Sequence, residues 1–301
     1  MRNHSFFLFL FLLTCFNAKA QHVDSSGSIK HLADSIINLV SKYKATIGVS
    51  IIALEDKETT LLNNDKRFPM QSVYKFHLAL AVLKQVDDGI LKLNQQVFVK
   101  KLDLRNTWSP MKDKYPEGNF SISVADLLTY SISRSDNNAC DILFNLVGGT
   151  KKVDQYIRSL GFKTISIAAT EYQMSKKWST QFKNNTTPLA MGELLAAWFQ
   201  KEFLSDSSTQ FLNRILVENY TSNKRLKGLL PDSIIVAHKT GTSGSNEKGI
   251  SAGTNDVGVV TLPDGKHLFI SVFVSNSSEI YETNERIIAE IAYIAFKHYT
   301  Q

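Results

Sequence analysis

Apolar positions along this chain change period twice, and the changes divide it into three stretches. From Ile29 to Tyr43, the residues Leu32, Ile36, Ile37, Leu39 and Val40 recur at helical spacing, which predicts an amphipathic helix. Thr46 to Leu54 reads T-I-G-V-S-I-I-A-L, rich in β-branched residues, and predicts a strand. The far end carries Ser233–His238, Val257–Leu262 and His267–Val274 as further strands. The last two are joined across the turn signal Pro263-Asp264-Gly265. Asn284 to His298 predicts a closing amphipathic helix.

Between these ends the signals are helical. Ser72 to about Val86 is apolar around much of its circumference, the pattern of a buried helix. Ser123-Val124-Ala125-Asp126 is a capping box ahead of Leu127. Ala139 to Val147 predicts a helix stopped by Gly148-Gly149, and Thr187-Pro188 opens another. From Gly161 to Thr187 no period stands out, and so long an aperiodic stretch in a compact domain usually carries function. Strands at both ends can share one sheet only if the termini return to each other. The expected fold is therefore α/β plus all-α: an antiparallel sheet flanked by N- and C-terminal helices, with an inserted helical lobe and a cleft between the two. The α/β lobe is expected from 21–65 and 225–301, and the helical lobe from about 66–224.

The first twenty residues belong to neither lobe. Met1, Arg2 and Asn3 precede an apolar run from Phe6 to Phe16, and Ala18-Lys19-Ala20 follows with small residues three and one before Gln21. This is the layout of a cleaved secretory signal, and the run is too short to span roughly 30 Å of hydrocarbon. A lipidation box at Leu12-Leu13-Thr14-Cys15 is the alternative. The expectation is an exported, periplasmic protein with signal 1–20, a single domain of two lobes over 21–301 and no stable membrane insertion after cleavage.

Composition then matters chiefly through what cleavage removes. With 43% hydrophobic and 21% charged residues the chain is that of a globular protein. A formal charge of +6 on its own would admit nucleic acid or an anionic surface as partner. Loss of Arg2 and Lys19 lowers it to +4, and nucleic acid is not expected. Of two cysteines, Cys15 leaves and Cys140 remains, a small core residue on an apolar helix with no disulfide partner. The histidines show no H-x-H or H-E-x-x-H spacing, so neither metal nor cofactor is expected. The expected state is a monomer.

Three short motifs carry chemistry: Ser72-Val73-Tyr74-Lys75, Ser135-Asp136-Asn137 and Lys239-Thr240-Gly241. S-x-x-K alone says little, since it recurs at Ser41, Ser109 and Ser245. Ser72 differs in opening a buried helix, where Lys75 lies one turn on and on the same face. A serine nucleophile needs such a neighbouring base, and the helix N-terminus favours developing negative charge. The Ser135 hydroxyl suits proton relay to a leaving nitrogen, and the Asn137 amide can hold a substrate carbonyl. Lys239 follows the strand as a fixed cation, and Gly241 permits close approach of substrate to the strand edge.

In order and spacing these motifs resemble those of the serine β-lactamases of class A, and the resemblance covers the mature chain. It implies a covalent mechanism on Ser72, an oxyanion hole from the backbone N–H groups of Ser72 and Thr242, and a small-molecule β-lactam as partner. Glu171-Tyr172-Gln173-Met174-Ser175 matches the family's deacylation segment, so Glu171 is the implied base for the hydrolytic water. Whether Lys75 or Glu171 leads acylation is open. Three positions depart from the family pattern. Ser175 stands where Asn usually helps hold the water. Ala169 and Asn184 stand where an Arg–Asp pair usually pins the loop, which implies another loop path. The usual carboxylate-binding arginine after K-T-G is absent. This combination is similar to the PER/VEB-type extended-spectrum branch, in which Arg225 would replace that arginine; a surface cation is the alternative. Trp108 is open to two readings, an aromatic lid or a core residue. A penicillin-binding DD-peptidase shares the motif trio, and a non-hydrolytic β-lactam sensor would stay acylated. Glu171 in its segment favours the hydrolase.

Overall fold

The computed structural model describes residues 25–301, and the signal expected at 1–20 lies outside the described residues. Its strands are β1 (Thr46–Ala53), β2 (Glu58–Leu62), β3 (Phe68–Pro69), β4 (Gln96–Val99), β5 (Phe120–Ser123), β6 (Asn185–Thr186), β7 (Val236–Thr242), β8 (Thr254–Thr261) and β9 (His267–Ser275). Five of them form an antiparallel sheet in the order β2-β1-β9-β8-β7, so the first strand after the N-terminal helix pairs with the last strand of the chain. The helices are α1 (Ser25–Val40), α2 (Tyr74–Asp87), α3 (Pro110–Lys114), α4 (Val124–Ser133), α5 (Asn137–Leu146), α6 (Thr150–Ser159), α7 (Glu171–Lys176), α8 (Pro188–Phe199), α9 (Asp206–Val217) and α10 (Tyr281–Thr300). Among the described residues no helix is long and apolar enough to cross a membrane.

Alternation along β9 shows why the terminal strands read as nearly continuous apolar runs. Leu268, Ile270, Val272 and Val274 enter one core with Leu32 and Ile36 of α1 and Ile287, Ile288 and Ile291 of α10. Phe269 and Phe273 enter a second core with Phe68, Phe76 and Trp198. A sheet covered on both faces keeps apolar residues at successive positions. In the second core α2 is buried at every residue from Tyr74 to Leu83, as its unbroken apolar circumference predicts.

Helix starts follow their caps. Ser123 accepts from Asp126 N, and Thr187 accepts from Ala190 N with Pro188 at the first helical position, both as expected. α5 begins at Asn137 rather than Ala139, because Asp136 caps it through Ala139 N at 2.8 Å. The largest departure is β7. Lys239-Thr240-Gly241 does not follow the strand but lies within it, with Lys239 opposite Val257 and Gly241 opposite Asn255. Ladder bonds to β8 outweigh the weak strand preference of lysine and glycine. The helical middle also holds two short antiparallel pairs, β3 with β6 and β4 with β5, which the apolar pattern does not announce.

One core residue makes stability depend on pH. His77 of α2 is fully buried, and neither ring nitrogen makes a hydrogen bond of normal geometry. Burial, partly offset by the carbonyls of Val73 and Tyr74, pushes its pKa from 6.5 down to about 4. The unfolded chain therefore takes up a proton between pH 6.5 and 4 that the native state refuses. His77 costs nothing above about pH 7, and its cost grows as pH falls, towards roughly 3 kcal/mol near pH 4. His77→Phe is expected to flatten the fall of unfolding free energy between pH 7 and 4.5, measured by urea denaturation. A slope equal to wild type would refute this.

Candidate active site

The nucleophile candidate stands on a strained turn. Gln71, Ser72 and Val73 form a single 3₁₀ turn running into α2, and buried Gln71 has φ of 49°. A non-glycine residue there costs about 1–3 kcal/mol and persists only where its surroundings enforce it. Two contacts from the sheet do so. Asn255 Nδ2 donates to the carbonyls of Pro69 and Met70 at 2.9 and 3.0 Å. Gly241 lies so close that a Cβ there would collide with Met70 O and come within 3.2 Å of Ser72 N. The glycine of K-T-G thus admits the nucleophile's own backbone, where the sequence had pointed to substrate.

Lys75, one turn beyond Ser72, is fully buried and surrounded by oxygens. Its Nζ donates to Ser72 Oγ at 3.0 Å, Ser135 O at 2.7 Å, Asn137 Oδ1 at 2.7 Å and, more weakly, Ser135 Oγ at 3.4 Å. Glu171 Oε1 is an ion-pair partner at 3.0 Å and lies 3.4 Å from Ser72 Oγ. The serine, the lysine and the carboxylate therefore form one closed triangle. Ser135, with φ of 54°, sits in the turn between α4 and α5 and presents its hydroxyl to two lysines.

Lys239 is the second. It is buried, and its Nζ donates to Ser135 Oγ and Thr240 O, each at 3.0 Å. Burial, and then the nearby charge of Lys75, push its pKa well below the ordinary lysine range. It stands behind Ser135 and does not line the cavity, whereas Thr240 and Thr242 of the same strand do. Arg225 is likewise no surface cation. It is 1% exposed, paired with Glu285 at 3.1 Å, and donates to Gly241 O, Asn255 O, Thr242 Oγ1 and the Tyr281 hydroxyl. Its charge reaches the cleft through Thr242 and Tyr281.

A cavity of about 710 Å³ gathers these groups, lined by Gln71, Ser72, Ser135, Asn137, Glu171, Thr240 and Thr242. Trp108 also lines it and is 64% exposed, which decides for a cleft wall and against a core residue. Cys140 is buried in the helical core as expected, and burial pushes its thiol well above the usual range. Ser175 borders a side cavity with Glu171, and its hydroxyl donates to Tyr172 O at 2.8 Å. Among the described residues no His, Cys, Asp and Glu cluster is arranged to hold a metal ion.

The loop carrying Glu171 is fastened by neutral and acidic groups together. Asn184 Oδ1 accepts from the N–H groups of Ala168 and Ala169 at 2.8 and 2.9 Å, and its Nδ2 donates to Ala169 O at 2.8 Å. The two positions that lack the Arg–Asp pair thus still hold each other. Asp141, which the sequence reading missed, accepts from the N–H groups of Glu171 and Tyr172 at 2.8 and 3.0 Å. Burial pushes its pKa up to about 6 against the pull of those two bonds. Its signal was available: Asp141 lies four residues after Asn137 and so on the same face of α5. Thr107, which accepts from Asn137 Nδ2, and the cleft residues Tyr220, Thr221 and Tyr281 carried no motif.

Known proteins share this arrangement over most of the chain. Residues 31–299 match the family model described as the beta-lactamase enzyme family. Beta-lactamase VEB-1 of Pseudomonas aeruginosa is 46% identical over 92% of this chain and 93% of its own. Extended-spectrum beta-lactamase PER-1 of the same organism is 45% identical over 91% and 89%. The crystal structure of TLA-3 extended-spectrum beta-lactamase superposes with a TM-score of 0.90 at 49% identity, covering 91% of this chain and all of that one. With Ser72, two buried lysines and the Glu171 carboxylate gathered at one cleft, the chain belongs to the β-lactamase enzyme family, in class A.

Proposed function

We propose that the protein hydrolyses the β-lactam ring of penicillins and cephalosporins, extended-spectrum cephalosporins included, through an acyl-enzyme on Ser72, and so confers resistance to them. The observation that carries this reading is the triangle of Ser72 Oγ, Lys75 Nζ and Glu171 Oε1. Acylation requires one base beside the serine, whereas turnover also requires a carboxylate able to activate water against the resulting ester. Glu171 reaches the same oxygen that would carry the acyl group. The extended spectrum is carried over from the names of PER-1 and TLA-3. Export to the periplasm, a monomeric state and one catalytic unit of two lobes complete the proposal.

Ser72 Oγ attacks the lactam carbonyl while its proton passes to Glu171. The N–H groups of Ser72 and Thr242 stabilise the oxyanion, one such donor being worth about 3 kcal/mol. The close seating of Gly241 against Ser72 supports that pairing. As the C–N bond breaks, Ser135 gives its proton to the ring nitrogen and is reprotonated from Lys75, which recovers the serine proton from Glu171. In the second half Glu171 takes a proton from water, the water oxygen attacks the ester, and Ser72 leaves with that proton. Ser175 borders the side where this water enters. Asn137 holds the carbonyl of the substrate's side chain, Trp108 walls the cleft, and Thr240 and Thr242 receive the substrate's carboxylate, with Arg225 acting through Thr242. Lys239, buried behind Ser135, biases the relay electrostatically.

Purified protein mixed with a chromogenic cephalosporin is expected to turn over continuously; a single stoichiometric burst would favour a DD-peptidase or a sensor. Glu171→Ala is expected to lower kcat by about 10²–10⁴-fold and to accumulate acyl-enzyme visible by intact mass. Ser72→Ala should show no adduct, and unchanged turnover in either variant removes that residue from its role. Arg225→Ala is expected to raise KM by about tenfold, as Thr242 loses its charged hydrogen-bond partner. Glu285→Gln should lower the melting temperature with KM unmoved, which separates recognition from folding. An unaltered KM in Arg225→Ala overturns the assignment.

A further inference from the structure

One cation on the cleft wall is used by none of these steps. Arg134 directly precedes Ser135, is exposed, and lines the main cavity beside Trp108 and Tyr220. Arg158, Arg214, Arg225 and Arg286 each pair with a carboxylate, whereas Arg134 has none at ion-pair distance among the described residues. Its guanidinium instead faces rings, 5.5 Å from the centre of Tyr130 and 5.7 Å from that of Tyr220. The rim is braced through the backbone. Trp108 Nε1 donates to Arg134 O, Tyr220 N donates to Ser133 O, and Asn137 N donates to Trp108 O, all at 3.0 Å. Two large rings, 64% and 73% exposed, thus line the same cavity wall as an unpaired positive charge. Rigid aromatic surface beside an unneutralised cation is a feature of a recognition site.

The chemistry of the bound substrate says which part of it arrives there. When Ser72 attacks, the lactam nitrogen must lie against Ser135 Oγ to receive its proton. The side chain on the lactam ring then points away, towards Asn137 and Glu171. The second ring is attached through that nitrogen, and its carboxylate turns to Thr240 and Thr242. The remaining substituent of that ring, at C3 of a cephalosporin, extends past Ser135 to the residue before it.

We infer that Arg134, flanked by Trp108 and Tyr220, forms a subsite for the substituent at C3, and that it favours anionic groups there over cationic ones. This rests on the reading of the cleft as a β-lactam site, which it extends to a class of substrate. The carboxylate at C4 is common to all cephalosporins, so the subsite discriminates among them by the second charge.

The test uses three cephalosporins with one acylamino side chain and a carboxylate-bearing, a neutral or a pyridinium-bearing C3 substituent. Wild-type kcat/KM for the anionic compound relative to the cationic one is expected to fall about three- to fivefold in Arg134→Ala, the scale of an exposed ion pair. The ratio should fall further in Arg134→Glu, be restored in Arg134→Lys, and shrink in wild type between 20 and 500 mM salt on the scale set by screening, roughly a Debye length of 10 Å at 0.1 M. A ratio equal in wild type, Arg134→Ala and Arg134→Glu overturns the inference. The same ratio read as Kd by calorimetry in Ser72→Ala, alone and with Arg134→Ala, tests the subsite without any chemistry. If wild type fails to turn over any of the three compounds, the hydrolase reading falls, while the Kd ratio still decides the subsite.

Discussion

Burying the ammonium of Lys75 is the constraint on which the rest of the site depends. A charge removed from water costs several kcal/mol unless oxygens replace its hydration shell. Here the replacements come from the turn before α2, the turn before α5 and the start of α7. The last two of these segments lie 60 to 99 residues along the chain from Lys75 and Ser72. Satisfying one buried charge therefore assembles nucleophile, relay and carboxylate together. The left-handed backbone at Gln71 and Ser135 follows from the same demand, since each turn must point a specific oxygen at one nitrogen.

A second set of buried polar groups lies on and behind β7. Lys239, Arg225 paired with Glu285, and His238 hydrogen-bonded to Asp256 do not line the cleft. Only neutral hydroxyls of Thr240 and Thr242 reach the cavity from this strand. Positive potential is delivered through short, preorganised dipoles, and a substrate carboxylate meets hydroxyls already polarised by cations it does not touch.

Much of this was legible in the residues, and the exceptions share a cause. Period alone found α1, α2, β1, β9 and α10, and the cap chemistry at Ser123 and Thr187 found helix starts, because those signals are local. The motif serines and lysines were found because their spacing repeats a mechanism. What sequence missed depends on partners far along the chain. For Arg225 the sequence left a surface cation open as the alternative, which falls only when Glu285, 60 residues on, is folded against it. Lys239 reads as a strand-end cation until β8 extends the ladder through it. Asn184 and Ala169 read as the loss of an ion pair, since nothing local says that an amide can bond the backbone where a carboxylate once bonded a side chain.

The pairing of β1 with β9 bears on when the molecule can finish folding. Ile47 sits opposite Val274, so the central pair of the sheet closes a loop of more than two hundred residues. Many of the residues that pack around α2, among them those of α4, α5 and α6, lie much nearer in sequence, although β9 adds Phe269 and Phe273 to that core as well. Loop closure is a cost met before the contacts that repay it, which makes this pairing a late event. Until β9 has been made, β1 lacks its partner in the middle of the sheet, and α1 has no completed sheet to clamp. The lobe that opens the fold waits on a strand more than two hundred residues later in synthesis.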